Sequence, residues 1–328
     1  MPDDAIATTI EAWLAAMACP RCSGELSISG DTLVCTAGHE WPVTQGVVRF
    51  GGSQALPDQD SRDQTASSFA FEWERFGGIR DEWERNFLDY MQPHDPAFFE
   101  GLDVLDAGTG SGRHARQAAI YGARVAAVDL GASIDVARQN VTDDVLTVQS
   151  DLEALPFRQG SFDFVMSIGV LHHLPDTGRA LRYLVAFVKP GGRLRVYLYW
   201  KPERAWHRWI LRGVTAARQV TTRLPHRLLL ALCYPLSVAL WILFVGPHRL
   251  LRRWKATLKL ADSLPLKTYA DYPFGVLIND QFDRLSAPVE RRFTAEEVRL
   301  LMKDAGLEGV EVRANSGWIA EGRRPQTG

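Results

Sequence analysis

The stretch Val104-Leu105-Asp106-Ala107-Gly108-Thr109-Gly110-Ser111-Gly112-Arg113-His114 decides the fold. An apolar run ends in a turn with glycine at every second position, and the polar start of a helix follows. Glycines let a ligand approach the backbone, and a helix N-terminus offers unpaired N–H groups. The spacing is G-x-G-x-G, with Arg113 where the dinucleotide fingerprint G-x-G-x-x-G requires its third glycine, which argues against a nicotinamide cofactor. Further along, Asp129 closes the next apolar run, 21 residues after Gly108, where a carboxylate can accept both hydroxyls of a ribose. Leu102–Ala107, Arg124–Asp129, Leu146–Gln149, Phe162–Ile168 and Arg193–Tyr199 are short apolar runs separated by helical stretches, an alternation that implies a parallel α/β sheet.

Three more motifs follow in order: Gln149-Ser150-Asp151-Leu152 after the third run; Leu155 to Asp163 leading into the fourth and its exit loop Gly169-Val170-Leu171-His172-His173-Leu174-Pro175; and Lys189-Pro190-Gly191-Gly192. The series, over roughly Leu102–Tyr199, resembles the class I S-adenosylmethionine (SAM)-dependent methyltransferases, especially the branch similar to ubiquinone- and menaquinone-biosynthesis enzymes. The resemblance implies a Rossmann-like, seven-stranded α/β sheet with SAM across the carboxyl ends of its first strands. It further implies that Asp106, Gly108, Gly110 and Gly112 line the methionine moiety, Asp129 the ribose, and Asp151 with the Leu152 backbone the adenine, while Gly169 approaches the methionine end. His172 and His173 are the candidates for a general base, because a neutral imidazole near its ordinary pKa suits that role. Asp280 and Asp283 are weaker alternatives, and Trp73 and Phe76 are candidates for a lid.

Upstream, Cys19-Pro20-Arg21-Cys22 and Cys35-Thr36-Ala37-Gly38-His39 place four ligands in two pairs across one hairpin, the arrangement that tetrahedral zinc requires. Three thiolates and one imidazole close the shell, so the expected ion is structural and stabilises a ribbon too small to fold on apolar burial alone. With the following Gly38-His39-Glu40-Trp41-Pro42-Val43 and Gly46-Val47-Val48, residues 19–50 resemble the zinc-binding region of bacterial 23S rRNA guanine methyltransferases. Guanine specificity does not carry over, because the rest of the chain departs from those enzymes.

The whole chain has 328 residues and a net charge of −2, with 46% hydrophobic and 23% charged residues, which excludes collagen-like, coiled-coil and wholly disordered chains. That balance hides an asymmetry: Lys201–Lys259 holds 12 Lys/Arg and one acid, Glu203, so the segment carries +11 and the remainder −13. Within it, Leu228–Val245 is an uncharged run of 18 residues, expected to be interrupted at Pro235. Trp206, Trp209, Trp241 and Trp254, within and around it, can sit at an interface while the surrounding Arg residues meet anionic headgroups. Such a segment suits either a helical cap over an apolar substrate pocket or peripheral attachment to an anionic membrane, and a single crossing is disfavoured.

The expected plan is residues 1–50 as N-terminal helix and zinc ribbon, 51–97 as linker (51–66, with Pro57) and aromatic cap helices, 98–200 as SAM-binding core, 201–264 as basic apolar helical insertion, and 265–328 as the rest of the sheet. Thr294-Ala295-Glu296-Glu297 marks a capping box there, before two strands flanking Ser316-Gly317. The expected protein is a cytoplasmic methyltransferase, peripheral at the membrane in the second version of the insertion. Its cofactors are SAM and structural Zn2+, and its acceptor is a small or lipid-like apolar molecule. Methylation of rRNA or tRNA bases is an alternative, nucleic acid being the less favoured partner, and a non-catalytic zinc-ribbon adaptor is another.

Overall fold

The computed structural model describes residues 4–51, 59–80, 82–202 and 205–326; Pro57, Glu203 and the side chain of Trp206 lie outside the described residues. It divides into two compact units, one formed by Met1–Pro202 with Val289–Gly328 and the other by Glu203–Pro288.

The first unit is built on a mixed sheet of eleven strands. A helix α1 (Asp4–Trp13) precedes four ribbon strands, β1 (Leu26–Ser29), β2 (Thr32–Cys35), β3 (Glu40–Thr44) and β4 (Val47–Gly51). Helices α2 (Gln59–Phe76) and α3 (Glu82–Met91) follow, and then the alternation β5 (Asp103–Ala107), α4 (Arg113–Ile120), β6 (Arg124–Asp129), α5 (Ser133–Asn140), β7 (Leu146–Ser150), β8 (Phe162–Ile168), α6 (Thr177–Val185) and β9 (Val188–Leu198). The strand order is β1-β2-β3-β4-β7-β6-β5-β8-β9-β11-β10, where β10 (Glu308–Ala314) and β11 (Trp318–Arg323) form the terminal hairpin. Strands β7, β6, β5, β8 and β9 run parallel, and β11 and β10 are antiparallel. This is the expected seven-stranded Rossmann-like core. The chain leaves β5 in one direction for β6 and β7 and returns on its other side for β8, so a crevice opens at the carboxyl end of β5.

The ribbon is fused to that core. Strand β4 pairs in parallel with β7, Val47 opposite Thr147 and Val48 opposite Val148, and Arg49 reaches Gln149 on β7 and Asp135 on α5. Helix α1 packs its Ile10 and Trp13 into the same core as the sheet, with the Trp13 ring 5.6 Å from that of Phe162. At about 1.5–3 kcal/mol for each fully buried large side chain, Trp13 and Met17 anchor the N-terminal segment to the sheet. Helix α12 (Ala295–Asp304) starts with the expected capping box: Glu297 N–H donates to Thr294 Oγ1 at 3.2 Å, and the Glu297 carboxylate accepts from Thr294 N–H at 2.7 Å.

The second unit is wholly helical among its described residues. It comprises α7 (Ala205–Thr221), α8 (His226–Leu240) continuing through a π turn (Trp241–Val245) into α9 (Gly246–Leu251), α10 (Leu258–Ser263) and α11 (Phe274–Ser286). Two expectations are corrected here. The helical unit ends at Pro288 rather than Leu264, because α11 buries Leu277, Ile278 and Phe282 and packs against α8, where the basic run has already stopped. Pro235 does not interrupt the helix. It sits inside α8 on an exposed face, so the ring and the missing N–H fall away from the face that packs on α11.

Candidate functional site

Each glycine of the turn after β5 is held at positive φ: Gly108 at 84°, Gly110 at 56° and Gly112 at 78°. Space is also denied to a side chain. A Cβ on Gly108 would stand 2.5 Å from Val170 Cγ2, and one on Gly110 2.8 Å from Trp73 Nε1. The turn therefore brings bare backbone to the crevice.

A cleft of about 860 Å³, with the open solvent at its mouth included, occupies that position. Gly108, Gly110, Asp129, Asp151, Leu152, Gly169 and His173 of the expected residues line it. Asp106, Gly112 and His172 do not. Asp106 is wholly buried beneath the turn and accepts from Thr109 Oγ1 at 2.6 Å, while Gly112 fits the start of α4 against Ala137. Burial raises the Asp106 carboxyl to about 7, with the neighbouring Asp129 adding to the rise and Thr109 opposing it.

Asp129 is at the end of β6, and its carboxylate accepts from Gly110 N–H at 2.9 Å, Gly131 N–H at 3.2 Å and Ser133 Oγ at 2.6 Å. Burial still pushes its pKa up, against those bonds. Asp151, after β7, is clamped by Arg62 Nη1 at 3.0 and 3.1 Å to its two oxygens, and Arg62 Nη2 reaches Glu153 at 2.6 Å. All three side chains are buried.

Arg62 was not legible as a site residue, because residues 51–66 read as linker. Residues 59–66 instead begin α2, which lines the cleft with Arg62, Thr65, Ala66, Phe69 and Trp73. The spacing of these five is one helical face, a signal the sequence carries but which polar residues around it mask. Trp73 is thus at the cleft as a wall and Phe76 is not among its lining residues. Arg113 and His114 were also missed. The Arg113 guanidinium lies 5.4 Å from the Trp73 ring centre and 4.6 Å from that of Trp83, and burial holds His114 neutral, well below the ordinary histidine pKa.

The two histidines of the exit loop separate. His172 is fully buried and stacks on Tyr199 with ring centres 3.8 Å apart. His173 faces the cleft, and its Nδ1 lies 2.8 Å from the Val289 carbonyl. A carbonyl only accepts, so Nδ1 carries the proton and, in the neutral ring, the lone pair is on Nε2. Asp280 and Asp283 lie on α11, in the helical unit, and are not among the cleft residues.

In the ribbon, the ligand atoms of Cys19, Cys22, Cys35 and His39 all lie within 4.8 Å of one another. Cys22 Sγ to Cys35 Sγ is 3.6 Å, Cys19 Sγ to His39 Nδ1 3.5 Å and Cys35 Sγ to His39 Nδ1 3.3 Å. A tetrahedron with zinc's bond lengths has edges of about 3.8 Å between sulfurs and about 3.5 Å between sulfur and nitrogen, so the four atoms fit one ion.

Comparison with known proteins matches residues 105–196 to a methyltransferase domain family. The chain is 37% identical over 125 residues to a ubiquinone biosynthesis O-methyltransferase of Methylocella silvestris, covering 36% of this chain and 49% of that protein. It is 32% identical over 144 residues to the biotin biosynthesis bifunctional protein BioHC of Cellvibrio japonicus, covering 43% of this chain and 28% of that protein. The chain thus spans about half the length, or less, of these curated relatives. Among solved structures, a Burkholderia thailandensis 1,6-didemethyltoxoflavin-N1-methyltransferase aligns with 91% of this chain and 98% of its own at 16% identity and a TM-score of 0.48. Residues 105–196 thus match a methyltransferase domain family, and they form the parallel strands β5 to β9 of the seven-stranded Rossmann-like core.

Proposed function

We propose that the protein transfers a methyl group from SAM to a small or lipid-like apolar acceptor. The observation that carries this reading is the cleft at the carboxyl end of β5, where the Gly108 and Gly110 backbone and the Asp129 carboxylate meet. The family match and the 37% identical relative support the cofactor and a small-molecule acceptor.

In this reading Asp129 accepts the ribose hydroxyls, Asp151 and the Leu152 backbone hold the adenine while Arg62 fixes Asp151, and Gly108, Gly110 and Gly169 lie along the methionine portion, with Asp106 and Gly112 shaping the turn from beneath. Arg113, steadied by two indole rings, is placed to pair with a carboxylate. SAM supplies an electrophilic methyl on a sulfonium. The residues contribute position, since in-line displacement depends mainly on holding the acceptor atom behind that carbon. Phe69, Ile168, Val170 and Leu174 give the cleft an apolar wall for the acceptor, and His173 is the candidate base through Nε2. His172, stacked away from the cleft, supports His173 by packing.

Calorimetry with SAM and NADH tests the assignment. SAM is expected to bind with one site per chain and NADH not to bind, whereas tight NADH binding without SAM would overturn it. A chain that binds neither would fit the adaptor reading.

We also infer one structural zinc per chain, held by Cys19, Cys22, Cys35 and His39. Three thiolate ligands require a reducing compartment, which favours the cytoplasm. Metal analysis of protein purified without added zinc should find one equivalent. Cys22→Ser should lose it and open the ribbon to hydrogen exchange, and near-zero metal in a folded, reduced sample would contradict the inference.

A further inference from the structure

The long helix of the second unit has two apolar faces where a water-facing helix has one. Its inner face buries Leu229, Leu230 and Cys233, which is how α8 packs on α11. The outer face carries Leu228, Leu232, Leu236, Ile242 and Leu243, with Ile242 60% and Leu243 62% exposed, and the 18 residues from Leu228 to Val245 include no charge. Surface helices of soluble proteins keep such a face polar, and contiguous exposed apolar patches of this kind mark interaction surfaces.

The surroundings of the patch identify its partner. Arg223 and Arg227 precede the run, and Arg253, Lys255 and Lys259 follow it; all five are exposed and have no carboxylate partner among the described residues. Trp209, 68% exposed with Arg212 over its ring at 5.0 Å, and Trp254, 54% exposed, supply aromatic rings of the kind that settle at a bilayer surface. A second copy of the chain would bring the basic ends of one patch against those of the other, which costs energy in a two-fold pair. Single-stranded nucleic acid wants aromatic stacking platforms, and this face is aliphatic.

We infer that the helix His226–Leu251 seats the protein in the plane of an anionic lipid bilayer, its outer face among the acyl chains and its basic ends at the headgroups. By length alone the 26-residue helix could cross. Its inner face, however, packs on α11, which carries Asn279, Asp280, Gln281, Asp283 and Arg284, and Asp280 is engaged with the Tyr269 hydroxyl. Hydrocarbon on all sides would strand those groups, and arginines at both ends give no inside–outside asymmetry. Lying in the interface satisfies both faces. The inference does not depend on methyl transfer.

Flotation of the full chain with phosphatidylcholine vesicles, with and without phosphatidylglycerol, tests it. Flotation is expected only with the anionic vesicles, is expected to fall in high salt, and is expected to be reversed by alkaline carbonate. Leu232→Glu/Leu243→Glu and Arg253→Glu/Lys255→Glu change exposed positions only, and unchanged melting temperatures will confirm their folds. Each should weaken partitioning roughly tenfold or more. Failure to float, equal flotation of either folded variant, or resistance to carbonate extraction would overturn the inference. So would light scattering that shows a dimer in solution which the leucine variant converts to monomer, because the occupant of the face would then be a second copy.

Discussion

Asp129→Ala should weaken SAM binding about 100-fold while the sheet remains folded. Hydrogen bonds to a charged acceptor contribute about 1.5–3 kcal/mol each, and two ribose hydroxyls would lose theirs, partly compensated by water, leaving roughly 2.7 kcal/mol. The same substitution also removes the acceptor that holds Gly110 N–H and Ser133 Oγ, so part of the loss reflects a looser turn. Asp129→Asn, which keeps the shape and one acceptor oxygen, should lose less. Affinity in the wild type should rise with pH through about 7, because burial holds Asp106 there and the ionised form of the acid pair favours a cationic ligand. In Asp129→Ala that rise should move to lower pH, since one of the charges raising Asp106 has gone. Titration calorimetry at several pH values reads both effects, and an affinity within threefold of wild type would remove the ribose role of Asp129.

Arg62→Ala should destabilise the first unit strongly. Its guanidinium stands between Asp151 and Glu153, with all three side chains at 4% exposure or less, so truncation leaves Asp151 buried without its cation. Glu153 keeps Arg179 at 2.9 Å, whereas among the described residues Asp151 keeps only the Glu153 N–H at 2.8 Å. Breaking a buried pair from one side costs about 3–5 kcal/mol, on the order of 10 °C in melting temperature for a unit of this size. Because Arg62, Thr65, Phe69 and Trp73 share one helix, SAM affinity should fall with stability, and hydrogen exchange should rise along α2 before the sheet. Arg62→Lys should recover only part, as an ammonium cannot reach two carboxylates with a planar fork. A melting temperature within 2 °C of wild type would show that α2 is held by other contacts.

The site was legible where chemistry is local in sequence. Gly108 and Gly110 announce themselves because the turn needs positive φ, Asp129 ends the next strand and meets that turn at the cleft, and each strand of the parallel core could be placed to within a few residues, apart from β9. Strand β9 begins at Val188, five residues earlier than its apolar run, because Lys189–Gly192 is accommodated as an irregularity against β8. Arg62 was hidden for a different reason: its partners lie 89 and 91 residues away, and a salt bridge between distant elements leaves no pattern near either end. The histidines show the same limit. Adjacent positions after a strand point in different directions, and only the packing of Tyr199 and the carbonyl of Val289 decide which one faces the cleft.

The parallel pairing of β4 with β7 also bears on aggregation. In a sheet of this topology β7 would otherwise end the parallel series with a row of open N–H and C=O groups, an invitation to pair with another chain. Here β4 covers it, and the antiparallel ribbon passes the problem outward through β3 and β2 to β1. That last strand is four residues long and places Ser27 and Ser29 at its exposed positions, so little template remains for a foreign strand. The ribbon therefore works as a hem on the sheet, and an ion held by Cys19, Cys22, Cys35 and His39 would also keep that border from fraying into its neighbours.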